Sequence, residues 1–228
     1  PPINLAKTLD DLAQALQRQS PRELVDRETP SASYLSTANR DCDRIRGLMI
    51  ANQEELDWEF YRIYGLLDED LTYDGALPPI ASAERAFAIV LARELAEGAT
   101  DTTWFKHHNH RFSPVTEIPD HLPADYQALL QRRLDAIESN PHIRLLERPE
   151  YKRRWAVEPW DKQVQSALRD WLLDRVEDRS LWFDRDGRPT PMSVAQLADV
   201  LDRNDDFRNV LRLWAGDDNV ATGTALTK

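Results

Sequence analysis

Apolar residues recur along most of this chain at intervals of three and four, the spacing of an amphipathic helix, and nowhere alternate long enough to build a sheet. Ile3–Gln19 is a first such segment. Ser20-Pro21-Arg22-Glu23 has the layout of a capping box with proline at the first helical position, which predicts a short helix. Glu28–Ser36, with Pro30 and three serines, reads as a loop. The strongest pattern runs from about Thr37 to Leu67. There Ile45, Met49, Leu56, Phe60, Ile63 and Leu67 draw one stripe, and Trp58, Tyr61 and Gly65 lie on a neighbouring face. The second half is apolar on two sides, so burial between other helices is expected, with Trp58, Phe60 and Ile63 in the core. Asp68–Ile80, with Gly75, Pro78 and Pro79, ends it.

Ser82–Glu97 is predicted helical through Phe87, Val90, Leu91 and Leu95, with Gly98 at its C-cap. Ala99–Pro123 is mostly irregular. Ala124–Ser139 is helical through Tyr126, Leu130, Leu134 and Ile137 and is stopped by Asn140-Pro141. His142–Leu146 is expected to be a short extended piece, and Pro149–Trp155 one or two helical turns. Glu158–Glu177 is a clear helix, followed by a turn-rich connector from Leu181 to Pro191. Ser193–Gln196 is a second capping box, opening a helix through Leu197 and Leu201. Asp205–Ala215 is the last helix, and Val220–Lys228 a frayed tail. The fold class is all-α: a multi-helix bundle with long proline-rich connections. Two helical subdomains, an acidic half over 1–100 and a second half over 101–228, are one arrangement. A single bundle with a long connection is the other.

A length of 228 residues supports a real core in one large or two small domains. With 41% hydrophobic and 30% charged residues the chain is a folded one, not a disordered one. No apolar run approaches the roughly 20 residues of a membrane helix. The first residues lack the basic start and apolar stretch of a signal peptide. The single cysteine, Cys42, excludes an internal disulfide framework. A cytoplasmic location is expected.

The net charge of −11 is unevenly spread: −9 over residues 1–103, +2 over 104–157 and −4 over 158–228. An acidic body repels phosphate backbones, so the chain alone should bind nucleic acid poorly. Only the middle stretch could meet DNA without a large repulsion.

Most candidate chemistry reduces to surface. His107, His108 and His110, with His121 nearby, are adjacent in a polar loop, where side chains seldom converge on one ion, and no metal site is assigned. Asp184-Arg185-Asp186-Gly187 lacks the further oxygen ligands of a calcium loop and reads as a turn. Glu54, Glu55, Asp57 and Glu59 read as a solvated helix face, with Glu59 in reach of Arg62. No nucleophile–base arrangement can be argued, and no catalytic residue is assigned.

Glu147–Trp160, ERPEYKRRWAVEPW, stands apart. It sets Arg148, Lys152, Arg153 and Arg154 among Tyr151, Trp155 and Trp160. Lysine and arginine neutralise phosphates, and aromatic rings stack on bases or anchor a loop. Arg132, Arg133 and Arg144 could extend the same positive surface. In the alternative reading the rings are core and the arginines pair with Glu147, Glu150 and Glu158.

This run, with Glu55–Leu71 (ELDWEFYRIYGLLDEDL), resembles the C-terminal region of the PglX-type adenine-specific DNA methyltransferases of phage growth limitation and bacteriophage exclusion systems, closest to their type-two branch. AERAFAIVLAR at Ala83–Arg93, TEIP at Thr116–Pro119, and WLLDRVED and SVAQLADV within Leu168–Val200 fit the same region, so the resemblance spans about Asn39 to Trp214. It implies a parent enzyme that uses S-adenosylmethionine, acts on DNA and works beside other defence components. Such an enzyme needs a glycine-rich cofactor loop and an Asn/Asp-Pro-Pro-Tyr/Phe motif. Neither occurs here: the Pro-Pro pairs are Pro1-Pro2 and Pro78-Pro79, and Asn140-Pro141-His142 lacks the second proline and the ring. The resemblance therefore implies a non-catalytic module supporting DNA recognition or clamping, without a cofactor of its own. A module that docks other defence components or a phage inhibitor is the alternative.

Overall fold

Several helices start where a side chain satisfies the first free backbone amides. The structure, a computed structural model, describes residues 2–106, 112–153, 155 and 157–227, and over these the protein is all-α. In chain order the helices are α1 (Pro2–Arg18), α2 (Pro21–Val25), α3 (Ala32–Ile63), α4 (Ala86–Ala96), α5 (Ala124–Ser139), α6 (Pro141–Leu146), α7 (Trp160–Val176), α8 (Arg179–Trp182), α9 (Val194–Leu201), α10 (Asp205–Ala215) and α11 (Thr222–Ala225). Among the described residues β structure is limited to one isolated antiparallel bridge, Phe183 to Pro189. No helix among them is long and apolar enough to cross a membrane.

The caps read from sequence form. Ser20 accepts from the amide of Glu23 ahead of α2. Ser193 accepts from Gln196 N at 3.3 Å, and Gln196 Oε1 accepts in return from Ser193 N at 2.9 Å, closing the box before α9. Gly98 and Gly216, at φ 71° and 64°, follow α4 and α10 in the left-handed region that terminates a helix.

Four local expectations are corrected. α3 begins at Ala32, inside the expected loop, and ends at Ile63. His142–Leu146 is helical, not extended. Asn140 caps α6 as well as ending α5: its Oδ1 accepts from His142 N at 2.9 Å and Ile143 N at 3.3 Å, and Pro141 occupies the first turn, where its missing N–H leaves nothing unpaired. Pro149–Lys152 is a run of turns rather than helix. The expected frayed tail contains α11, anchored by buried Thr222, whose hydroxyl bonds Asp202.

The chain divides into two compact units that interleave along the sequence. One takes the chain up to Leu16 together with Asp43–Glu158; the other takes Gln17–Cys42 together with Pro159 onwards. In the second, α2 and the start of α3 bring Leu24, Val25 and Leu35 onto Leu168 and Trp171 of α7 and Phe207 and Val210 of α10. In the first, α3, α5 and α6 enclose Ile50, Trp58, Tyr126, Leu130, Leu134 and Ile143, with Ile89 of α4 in the same cluster. The irregular segment before α4 crosses α3 at Gly47, whose carbonyl accepts from Ile80 N at 3.2 Å. A Cβ on Gly47 would lie 2.8 Å from Pro79 Cβ.

The buried face of α3 also departs from expectation. Trp58 is fully buried, but Phe60 and Ile63 are 38% and 50% exposed. The inward face in this half runs through Glu54, Glu55, Trp58 and Tyr61. Glu54, Glu55 and Glu59 are thus buried, not solvated, although the Glu59–Arg62 pair forms at 2.9 Å. The apolar stripe is displaced because cations from elsewhere in the unit meet the carboxylates inside.

Candidate functional site

Six charged side chains enter the interior of the first unit as three pairings. Glu54 Oε1 accepts from Arg85 Nε at 2.8 Å, both side chains being nearly inaccessible. Glu55 Oε1 accepts from Arg133 Nη2 at 2.7 Å. Glu147 pairs with Lys152. Neighbours supply much of the hydrogen bonding that burial demands, while Glu54 Oε2, Arg85 Nη2 and Glu147 Oε2 are buried without a hydrogen-bond partner among the described residues. Arg133 donates to the Leu71 carbonyl from Nε and Nη2, and Glu55 Oε2 accepts from Tyr73 N at 2.8 Å. Lys152 Nζ donates to Asp57 Oδ2 at 2.9 Å and to the Tyr61 hydroxyl at 3.3 Å, while Tyr61 donates to Glu147 Oε1 at 2.7 Å. Rings fill the space between: the Arg133 guanidinium lies 5.3 Å from the Trp58 ring, and Arg85 4.4 Å from Phe87.

The electrostatics follow from this packing. Burial raises the Glu54 carboxyl, but Arg85 and Lys152 outweigh it and hold the group below its ordinary range. Burial pulls the Lys152 ammonium down, yet Glu147, Glu54 and Asp57 hold it well above its ordinary value. Burial outweighs Arg133 at Glu55 and Lys152 at Glu147, and both carboxyls are raised.

This network locks the basic aromatic run in place. Lys152 inserts toward α3, and the next residue's carbonyl, that of Arg153, accepts from Arg85 Nη1 at 2.9 Å. Trp155 packs against the core of the first unit.

The seven cations read from sequence as DNA contacts therefore separate. Arg133 and Lys152 are interior, with side chains 1% and 2% exposed, so their charged ends are not solvated as expected. Each is drawn inside by the carboxylates it neutralises. Arg132 pairs with Glu69 and Arg144 with Glu94 at the surface. Arg148 is exposed. Arg153 is exposed with its guanidinium 4.3 Å from the Trp155 ring centre. Arg154 lies outside the described residues, as do His107, His108 and His110. The surface that remains is Arg148, Arg153 and the 65% exposed Tyr151.

Elsewhere His121 faces Glu84 at 3.5 Å. Asp184 Oδ1 accepts from Asp186 N and Arg188 N, a turn. Among the described residues no three His, Cys, Asp or Glu side chains group as a metal site. The roles of Glu54, Glu55 and Arg85 went unread in the sequence, and Glu147, a partner for arginines in the alternative reading, pairs with Lys152 instead. The one local sign of the unread roles is that Glu54 and Glu55 stand four and three residues before Trp58, on its own helix face.

The sequence matches the family described as "Domain of unknown function (DUF7008)" over residues 49–228, a stretch holding every member of the network. It is 48% identical over 219 residues to the adenine-specific methyltransferase PglX of Streptomyces coelicolor (strain ATCC BAA-471 / A3(2) / M145). That match covers 94% of this chain and 18% of the methyltransferase, so the chain spans under a fifth of its curated relative's length. No solved structure matches.

Proposed function

Since the chain belongs to the DUF7008 family, we propose that it is a non-catalytic helical module, C-terminal in a PglX-type adenine-specific methyltransferase, that supports recognition or clamping of DNA. One observation carries this reading. Nearly the whole chain is similar to a small fraction of PglX, and the chain's own sequence contains neither a glycine-rich cofactor loop nor an Asn/Asp-Pro-Pro-Tyr/Phe motif. S-adenosylmethionine would bind the rest of the parent enzyme. Phage restriction in the cytoplasm, beside other defence components, is part of the same reading.

Arg148 and Arg153 are the residues of this module that would approach phosphate. Their turn is fixed by Lys152, and neither has a carboxylate partner among the described residues. The test is duplex-DNA binding by a full-length PglX-type enzyme carrying this module, with Arg148→Ala and Arg153→Ala combined. Affinity should fall, and the salt slope should become shallower by about one unit for each phosphate no longer neutralised. Unchanged affinity and slope would remove DNA from the role of this surface.

A docking role is the second reading. It is favoured by Phe60, Ile63 and Tyr64, exposed together at the end of α3 with Phe60 and Tyr64 stacked at 6.2 Å.

A further inference from the structure

Of the three rings in the basic run, Tyr151 alone stands open to solvent. Trp155 packs against the core of the first unit and Trp160 against that of the second. The backbone explains the difference. Lys152 turns inward to its carboxylates, and the residues on either side of it, Tyr151 and Arg153, are exposed. Tyr151 N donates to the Arg148 carbonyl at 3.0 Å, which closes the turn that carries Arg148. The stretch is pinned at the Lys152 ammonium and at the Arg153 carbonyl, so the ring and both guanidiniums are displayed from one fixed piece of backbone.

What such a ring would meet follows from its flanks. Two cations without carboxylate partners attract phosphate, and Glu150 is the one exposed carboxylate among them. A nucleotide presents phosphate and a flat base together, and base stacking on an aromatic side chain tolerates any sequence. In an intact duplex each base is already covered by its neighbours. A tyrosine can therefore stack only on a base that has left the helix, and the cost of unstacking is least where the base is unpaired from the start.

We propose that Tyr151 is a stacking platform for an unstacked base, with Arg148 and Arg153 holding the phosphates beside it. The ligand it favours is DNA carrying an unpaired base, in a single strand or within a duplex, over fully paired DNA. This rests on the DNA reading and adds to it the form of DNA that the surface distinguishes. A parent enzyme that methylates a base would itself create such DNA, because the target must leave the helix to be reached.

The test uses a full-length PglX-type enzyme carrying this module and three DNAs of one sequence: the paired duplex, the duplex with one unpaired base, and the single strand. Tyr151→Ala should weaken binding to one or both of the DNAs with an unpaired base by about fivefold or more, and which of them responds identifies the form recognised. Binding to the paired duplex should change little, and the salt slope should stay as it was, because no phosphate contact is lost. Tyr151→Phe keeps the ring and should keep the affinity. The ring being exposed, the unfolding midpoint should not move. Iodouracil at the unpaired position, under long-wavelength ultraviolet light, should crosslink to Tyr151 in peptide maps. Equal weakening on paired and unpaired DNA, no weakening on any of the three, or crosslinks that never map to Tyr151 would each overturn the proposal. If Arg148→Ala with Arg153→Ala also leaves affinity and salt slope unchanged, the DNA reading falls with it. If that pair does weaken binding, the DNA reading stands without the platform.

Discussion

Arg133 and Glu55, 78 residues apart in sequence, meet inside the protein at 2.7 Å with almost no solvent at either side chain. Removing one member leaves the other as an unpaired interior charge. Arg133→Met and Glu55→Gln should each lower the unfolding free energy by about 3–5 kcal/mol. The double variant should cost less than the sum, with a coupling of about 0.5–3 kcal/mol. Urea unfolding of the wild type, both single variants and the double variant measures this directly. Strict additivity would mean that the two charges do not depend on each other.

Lys152 makes a prediction about alkaline pH. Its folded-state pKa is raised well above the ordinary 10.5, so its stabilisation is fully present below that value and is lost as pH climbs through the folded one. Tyr61 is raised above its ordinary 10.0, chiefly by burial and Glu147, and acts with the same sign. Stability should therefore fall once pH passes about 10. Thermal melts across the alkaline range would follow this. Lys152→Met should be less stable at neutral pH and show a gentler alkaline decline. An identical alkaline slope would put the titrating group elsewhere.

Three neighbours on α3 should respond very differently to truncation. Trp58→Ala, at a fully buried site, should cost about 3–5 kcal/mol. Phe60→Ala and Ile63→Ala remove side chains that are already 38% and 50% exposed and should cost about 1 kcal/mol or less. Chemical denaturation ranks them. A Phe60 variant as damaged as the Trp58 one would show that the α3 end is covered in solution.

Gly47 tests the crossing beneath α3. Alanine favours a helix over glycine by about 1 kcal/mol, but its Cβ would collide with Pro79, an overpacking that costs about 1–3 kcal/mol. Gly47→Ala should therefore be destabilising on balance. A rise in the denaturation midpoint would show that the Pro79 segment yields without penalty.

Local rules read α5 and α10 to their end residues, because their periodicity and flanking signals agree. Asn140-Pro141 misled because one dipeptide both stops α5 and starts α6, and only the first use was read. The inward face of α3 was hidden for a different reason. Glutamates read as outward unless a cation waits inside, and Arg85 and Arg133 lie 31 and 78 residues from the carboxylates they neutralise. Lys152 was misplaced by the same logic in reverse: a run of cations reads as surface until one finds carboxylates 5 and 95 residues away. Nor does any local pattern pair Gln17–Cys42 with the chain beyond Pro159.

Fixing Lys152 from three directions has a thermodynamic consequence for its neighbours. The backbone beneath Arg148 and Arg153 is immobilised during folding, whether or not anything is bound there. A ligand arriving at this turn has only two side-chain ends to order, each at an entropic cost of about 0.5–1.5 kcal/mol, rather than a loop. Weak individual contacts can then register as binding. Loosening Lys152 should cost affinity at this surface without removing a single atom from the interface.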